Sequence, residues 1–258
     1  MNITVVSSPQ AQVGKTTIAN FYGARAKTST LLLEMGHLGY SPYIHGSVNA
    51  SETRSISKVM INPSSLKDNI FQTDYKYFRF SSMNVVEDIM KLNLPNVPVA
   101  EIVEEASRAF NEVILDTSSD MHSGVNKVIF SKEFRDSYPV NDIIVVDENI
   151  ATFKALSDFN TILKIRELTI KPVIIINKAR IYEDYMKSYL TKLSNINPIL
   201  ILTLEEIPEL RYYLNNGEIN VKDKKVAEFR RTIDELADRL SRNVLKKEFT
   251  LEDYLVKI

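Results

Sequence analysis

Val13-Gly14-Lys15-Thr16-Thr17 is the stretch whose residue types and spacing suit phosphate chemistry. It follows an apolar run, Ile3-Thr4-Val5-Val6, and a loop, Ser7-Ser8-Pro9-Gln10-Ala11-Gln12, and it precedes an apolar helical pattern starting near Ile18. A strand, a tight loop and a helix N-terminus together aim backbone N–H groups and the helix dipole at an anion. In that arrangement residues 12–17 would wrap the phosphates. Lys15 would reach the β and γ oxygens, the Thr16 hydroxyl would ligate Mg²⁺, and Thr17 would lie near the α-phosphate. The same residues also suit a plain capped helix start. The loop departs from the Walker A pattern where Pro9 replaces a glycine, because proline has no N–H to donate.

Around this loop, short β-branched and aliphatic runs recur at 3–7, 30–34, 77–80, 112–116, 142–146, 172–177 and 199–203. Helical patterns lie between them at 16–27, 99–110, 150–167, 183–192 and 207–215, the last stopping before Gly217 as at a helix C-cap. Such alternation predicts a doubly wound α/β fold, a mainly parallel seven-stranded sheet with helices on both faces. Ligands bind such sheets beyond the carboxyl ends of the strands, where Ser7, Glu34, Asp116, Asp147 and Asn177 fall. The stretch 40–96 is less regular and rich in Ser, Asn and Asp, and apart from the strand at 77–80 it reads as loops and short helices over one sheet edge. A long amphipathic helix spans 224–247, with Val226, Phe229, Ile233, Leu236, Ala237, Leu240 and Val244 on one face.

Composition narrows the function classes. With 258 residues, 44% hydrophobic and 25% charged, the chain is expected to form one nucleotide-binding domain over 1–258, with a C-terminal helix and tail at 224–258. A net charge of -1 gives no global field for DNA or an anionic membrane. There is no cysteine, which excludes disulfides, thiolate metal sites and iron-sulfur clusters. His37, His45 and His122 lack the spacing of a zinc site. The N-terminus carries no basic leader and no apolar stretch of spanning length, so a cytoplasmic protein is expected.

Beyond the loop, the sequence resembles the MinD/ParA family of P-loop ATPases, the deviant Walker A group, along nearly all its length. That family's Lys-Gly-Gly-Val-Gly-Lys-Thr-Thr lies over residues 10–17, with the second half intact and the first half substituted. Its Ile-Asp-x-Asp strand end matches Leu33-Glu34-Met35-Gly36, and its Asp-Thr-Pro-Pro matches Asp116-Thr117-Ser118-Ser119. Pro172-Val-Ile-Ile-Ile-Asn177-Lys178 is similar to the strand whose terminal Asn meets the adenine edge, a contact an amide can make as donor and acceptor. Ile207-Pro208-Glu209-Leu210-Arg211, with Gly217 beyond it, resembles the late Ile-Pro and Leu-Arg segment, with Glu205 standing where that family has proline.

The resemblance implies ATP or ADP with Mg²⁺ as ligand, residues 12–17 with Asn177 and Lys178 around the nucleotide, and Thr16 with Asp116 around the metal. It also implies altered catalysis. Gln10 occupies the place of the signature lysine that crosses to the partner's phosphates, and Gly36 that of the aspartate that orients the attacking water. Glu34 keeps a carboxylate at the first of the paired acidic positions, either beside the Mg²⁺ waters or simply as a strand end. Losing charge-stabilising and positioning groups costs about a hundredfold in rate each while leaving binding intact.

The expectation is an atypical member, of the kind found in pilus assembly and polar localisation: a homodimerising, nucleotide-dependent switch for an unknown protein partner. Recruitment to a pole or to the inner membrane surface belongs to that reading. Its alternatives are a non-hydrolysing scaffold and a DNA-partition ATPase. A metabolic synthetase would need substrate-binding residues that the sequence does not offer. A tyrosine kinase of this fold would need a C-terminal tyrosine cluster, where only Tyr254 stands. Lys222, Lys224, Lys225, Arg230, Arg231, Lys246 and Lys247 are candidates for DNA, but 222–258 holds ten basic and eight acidic residues and reads as a solvated face. The apolar tail 249–258 suits docking on a partner better than on a membrane, for want of a basic face.

Overall fold

A computed structural model describes residues 1–36, 40–45, 54–82, 97–179, 183–215, 222–241 and 255–256. The elements, in chain order, are β1 (Asn2–Ser7), α1 (Lys15–Ala24), β2 (Thr30–Glu34), α2 (Ser41–Ile44), α3 (Ile56–Ile61), a 3-10 helix (Pro63–Asn69), β3 (Phe71–Gln72) and β4 (Phe78–Ser81). Then follow α4 (Val99–Ser107), β5 (Glu112–Asp116), α5 (Gly124–Ile129), α6 (Lys132–Ser137), β6 (Val140–Val146) and α7 (Ile150–Ile165). The last are β7 (Val173–Ala179), α8 (Glu183–Leu190), β8 (Leu200–Glu205), α9 (Pro208–Asn215), α10 (Lys224–Ser241) and β9 (Leu255–Val256).

The strands form one sheet in the order β3-β4-β2-β5-β1-β6-β7-β8-β9, parallel except for the β3–β4 pair. All seven expected strands are present, with boundaries moved by one or two residues. Two short edge strands were not expected. β3 carries too few residues to show a period, and its Phe71 ring stacks on Phe80 of β4 at 5.0 Å. β9 lies in the tail thought suited to docking, and it pairs with β8 of its own sheet through Ile201↔Leu255 and Leu202↔Val256.

Both faces of the sheet are covered, which is why its strands read as continuous apolar runs. Ile3, Val5, Leu31, Leu33, Val113 and Leu115 point to one core, shared with α4, α5, α7 and α8. Val6, Leu32, Ile114, Ile143 and Val145 point to the other, shared with α1 and α10. There Phe229 of α10 meets Phe21 of α1 edge to face at 4.9 Å. Helix α10 runs to Ser241; the expected continuation through 247 and the C-cap at Gly217 lie outside the described residues.

The order places β1 in the middle, with α1 leading leftward to β2 and the β5-to-β6 connection crossing to the right. That reversal opens a crevice at the carboxyl end of β1, between β5 and β6. The phosphate loop of the sequence begins there.

Candidate functional site

The loop leaves β1 at Ser7 and turns at once, the Gln10 N–H donating to Ser8 Oγ at 3.0 Å. Gln12 sits at φ 62 and Gly14 at φ 94, and α1 starts at Lys15 with the Ile18 N–H donating to Gly14 O at 3.0 Å. The left-handed backbone suits Gly14, since a Cβ there is strained and would also lie 2.6 Å from Asn177 Nδ2. No side chain caps α1 and its first turn holds no acidic residue, whereas Ser55, Ser123, Ser131 and Asn149 cap α3, α5, α6 and α7. The N–H groups at the start of α1 are therefore open to an external anion.

Behind the loop, Thr16 Oγ1 donates to Asp116 Oδ2 at 2.5 Å. The hydroxyl spends its proton on the carboxylate and keeps its lone pairs for a cation. Asp116 is 1% exposed, and its other oxygen, Oδ1, is buried without a hydrogen-bond partner. Burial and the neighbouring Glu34 push the Asp116 carboxyl up to about 7, against the opposing pull of Lys15 and of the Thr16 hydroxyl. Burial lowers the Lys15 pKa from its ordinary value, partly countered by Asp116. The site thus holds a cation and an anion that are both short of compensation. A polyphosphate would relieve Lys15 and a divalent metal would relieve Asp116, so these residues fit an Mg-nucleotide.

Glu34 belongs to a different arrangement. Its carboxylate accepts the N–H groups of Tyr40 at 2.6 Å and Ser41 at 3.0 Å, and the Ser82 hydroxyl at 2.6 Å. With three donors on a residue 2% exposed, Glu34 ties the end of β2 to the start of α2 and to Ser82. Among the described residues, and apart from its chain neighbours, the nearest heavy atom to a Cβ built on Gly36 is Thr117 O at 3.9 Å, an ordinary van der Waals contact.

The first half of the loop is held by its own chain. The Thr152 hydroxyl, fully buried in α7, meets Asp147 Oδ1 at 2.5 Å and also the Gln10 side-chain amide. The Thr152 hydroxyl thus lies between two acceptors, Asp147 Oδ1 and Gln10 Oε1. Asp147 also accepts the Asn149 N–H at 3.1 Å. Gln10 is thereby tied to the start of α7.

Asn177 and Lys178 reach the loop from β7. Asn177 Nδ2 donates to Val13 O at 2.7 Å, and Lys178 Nζ donates to Gln12 O at 3.0 Å. The sequence reading placed Asn177 at the adenine edge and Lys178 around the nucleotide; in the structure both side chains bond the loop backbone. It missed Thr152 and Ser82. An Asp147-x-Asn149-x-x-Thr152 pattern is a visible helix-start signal, but nothing in the chain marks Ser82 as a partner of Glu34. It also missed Asn20, whose Nδ2 donates to Thr16 O at 2.8 Å and Ser41 Oγ at 3.0 Å, leaving Oδ1 to accept the His45 Nε2–H at 2.9 Å.

Among the described residues no group of His, Cys, Asp and Glu could hold a metal by itself, so Asp116 and Thr16 would need phosphate and water to complete a shell. No described helix is long and apolar enough to cross a membrane. Of the residues weighed for DNA, Arg230 lies over the Phe21 ring at 5.9 Å, and Lys246 and Lys247 fall outside the described residues, as does His37.

No protein-family model matches the sequence, and no curated protein does. Solved structures do. A ParA family ATPase from Chlorobium tepidum matches with a TM-score of 0.69 at 13% identity, over 92% of this chain and 98% of that one. The septum site-determining protein MinD of Pyrococcus horikoshii, complexed with Mg-ADP, matches at 0.68 and 15% identity, over 95% and 98%. MinD in the MinC:MinD cell division complex of Aquifex aeolicus matches at 0.68 and 18% identity, over 98% and 99%. At these identities the likeness is one of architecture, and it spans both chains nearly end to end: this protein has the fold of the MinD and ParA P-loop ATPases.

Proposed function

We propose that this protein binds ATP or ADP with Mg²⁺ and serves as a nucleotide-dependent dimerisation or localisation switch that hydrolyses poorly or not at all. The observation that carries the reading is the Thr16–Asp116 pair at 2.5 Å, behind an uncapped helix start and beside a buried carboxylate oxygen with no partner. Lys15 would hold the β and γ oxygens, the N–H groups of residues 12–17 would surround the phosphates, and Thr16 and Asp116 would hold the metal side. A bound Mg²⁺ would neutralise charge on the polyphosphate. The Mg-ADP in the Pyrococcus horikoshii MinD structure supports this ligand class.

Weak hydrolysis follows from two positions. Gln10 is neutral and engaged with Thr152 of its own chain, so it presents no cation to a second subunit. Gly36 has no side chain to orient water. Both losses act on transfer and leave the binding groups in place.

Calorimetry with Mg-ATP and Mg-ADP on the wild type and on Lys15→Ala tests the binding claim, and sedimentation with and without ATP tests the switch. Binding that Lys15→Ala abolishes, with a dimer that forms only with nucleotide, is expected. No binding at millimolar nucleotide favours the scaffold reading, and fast Lys15-dependent turnover rules out the weak-hydrolysis claim.

A further inference from the structure

We infer that Asn177 and Lys178 are positioning residues that hold the phosphate loop in its anion-binding shape before any ligand arrives. The inference rests on the nucleotide reading above and assigns these residues a task on the loop backbone, distinct from contact with a base.

The starting point is a fault in the sheet. β7 and β8 pair in register from Val173↔Leu200 to Ile176↔Thr203, and pairing resumes at Ala179↔Glu205 after a register shift. The residues inside that shift are Asn177 and Lys178. Lys178 adopts a left-handed backbone at φ 58, unusual for a residue with a Cβ. The irregularity takes both residues out of the regular β7–β8 ladder.

Each uses that freedom in the same way. Asn177 donates to Val13 O at 2.7 Å and Lys178 to Gln12 O at 3.0 Å, so two successive carbonyls are drawn toward β7. A trans peptide plane carries its C=O and the next residue's N–H on opposite sides. Tying Gln12 O and Val13 O toward β7 therefore turns the N–H groups of Val13 and Gly14 the other way, into the loop. Those N–H groups, with the start of α1, are the donors a phosphate requires. The left-handed Gln12 and Gly14 are the backbone cost of this shape. The fit is close, for Asn177 Nδ2 fills the place that a Cβ on Gly14 would take.

Charge alone would not require this geometry. Lys178 is exposed, and an exposed ammonium on a carbonyl contributes little to stability, so its value lies in orienting the loop. A loop already in shape pays no ordering entropy when ligand binds.

The test compares Mg-ATP with inorganic tripolyphosphate, which has no base, by calorimetry at about 0.15 M and about 0.5 M salt. Lys178→Met is expected to weaken both ligands by the same factor, about tenfold, at either salt level. Lys178→Arg, which still reaches the carbonyl, is expected to restore affinity to within about threefold. Asn177→Ala changes no charge and is expected to weaken both ligands in parallel. The thermal midpoint of Lys178→Met should match the wild type, which shows that the fold is retained. A loss for Mg-ATP with tripolyphosphate unchanged would mean that the residues read the base, and it overturns the inference. So does a loss in Lys178→Met that vanishes at the higher salt, or no loss in either variant. If the wild type binds tripolyphosphate and Mg-ATP not at all, the nucleotide reading and this inference fall together.

Discussion

The two halves of the phosphate loop, 9–12 and 13–17, lie side by side and have different partners. The second half faces the sheet: Thr16 is bonded to Asp116, Lys15 feels its charge, and Gly14 opens α1 without a cap. The first half faces sideways, with Gln10 on Thr152 of α7 and the Pro9 nitrogen without a proton. One half carries the residues that the proposed binding uses. The other is half-buried or exposed, and its Gln10 side chain is bonded to Thr152 of the same chain. The difference teaches that two adjacent stretches of one loop can be anchored to different elements, so that under the proposed function binding and turnover can be altered separately.

The sharpest way to break the comparison is at the second half. Lys15→Ala should lower affinity for Mg-ATP by a hundredfold or more (roughly 3 kcal/mol) in calorimetry, with the thermal midpoint unchanged. Retained affinity would mean that the second half is only a helix start. Gly14→Ala places a Cβ at φ 94 and 2.6 Å from Asn177 Nδ2, so it should weaken nucleotide by tens of fold and destabilise the protein by about 1–3 kcal/mol in urea titration.

Asp116→Asn keeps the acceptor for Thr16 and removes the carboxylate. Its expected outcome is nucleotide binding that no longer responds to Mg²⁺, measured by titration with and without EDTA. For the first half, Gln10→Lys combined with Gly36→Asp should raise ATP turnover about tenfold, since a Cβ at Gly36 meets no described residue closer than 3.9 Å and the lysine supplies a charge that Gln10 lacks. Turnover that stays flat would overturn the assignment of weak hydrolysis to Gln10 and Gly36.

The smallest effect reaches the second half from behind, through Asn20 and His45. Burial lowers the His45 pKa from 6.5 to about 4. The unfolded chain therefore takes up this proton first: the contribution is fully present above about pH 6.5 and is lost as pH falls toward about 4. His45→Gln should flatten that acid limb in thermal melts, and an unchanged limb would show that His45 does not titrate on unfolding.

Much of this was legible in the chain itself. Apolar runs alternating with helical periods determine a parallel sheet, because a strand buried on both faces must be apolar throughout, and all seven expected strands are found. Gly14-Lys15-Thr16 after a strand, with Asp116 at the end of another, likewise marks the candidate site, and the structure brings Thr16 and Asp116 into a hydrogen bond.

Tertiary structure decided the rest. The β3 and β9 edges depend on which neighbour offers free backbone groups, a property of the assembled sheet. The partners of Gln10, Glu34, Asn177 and Lys178 lie far away along the chain, and an amide or a carboxylate suits many partners equally well. Only the sheet order brings Thr152, Ser82 and the carbonyls of Gln12 and Val13 within bonding distance of them. Residue type determines what a group can bond, and the fold determines what it meets.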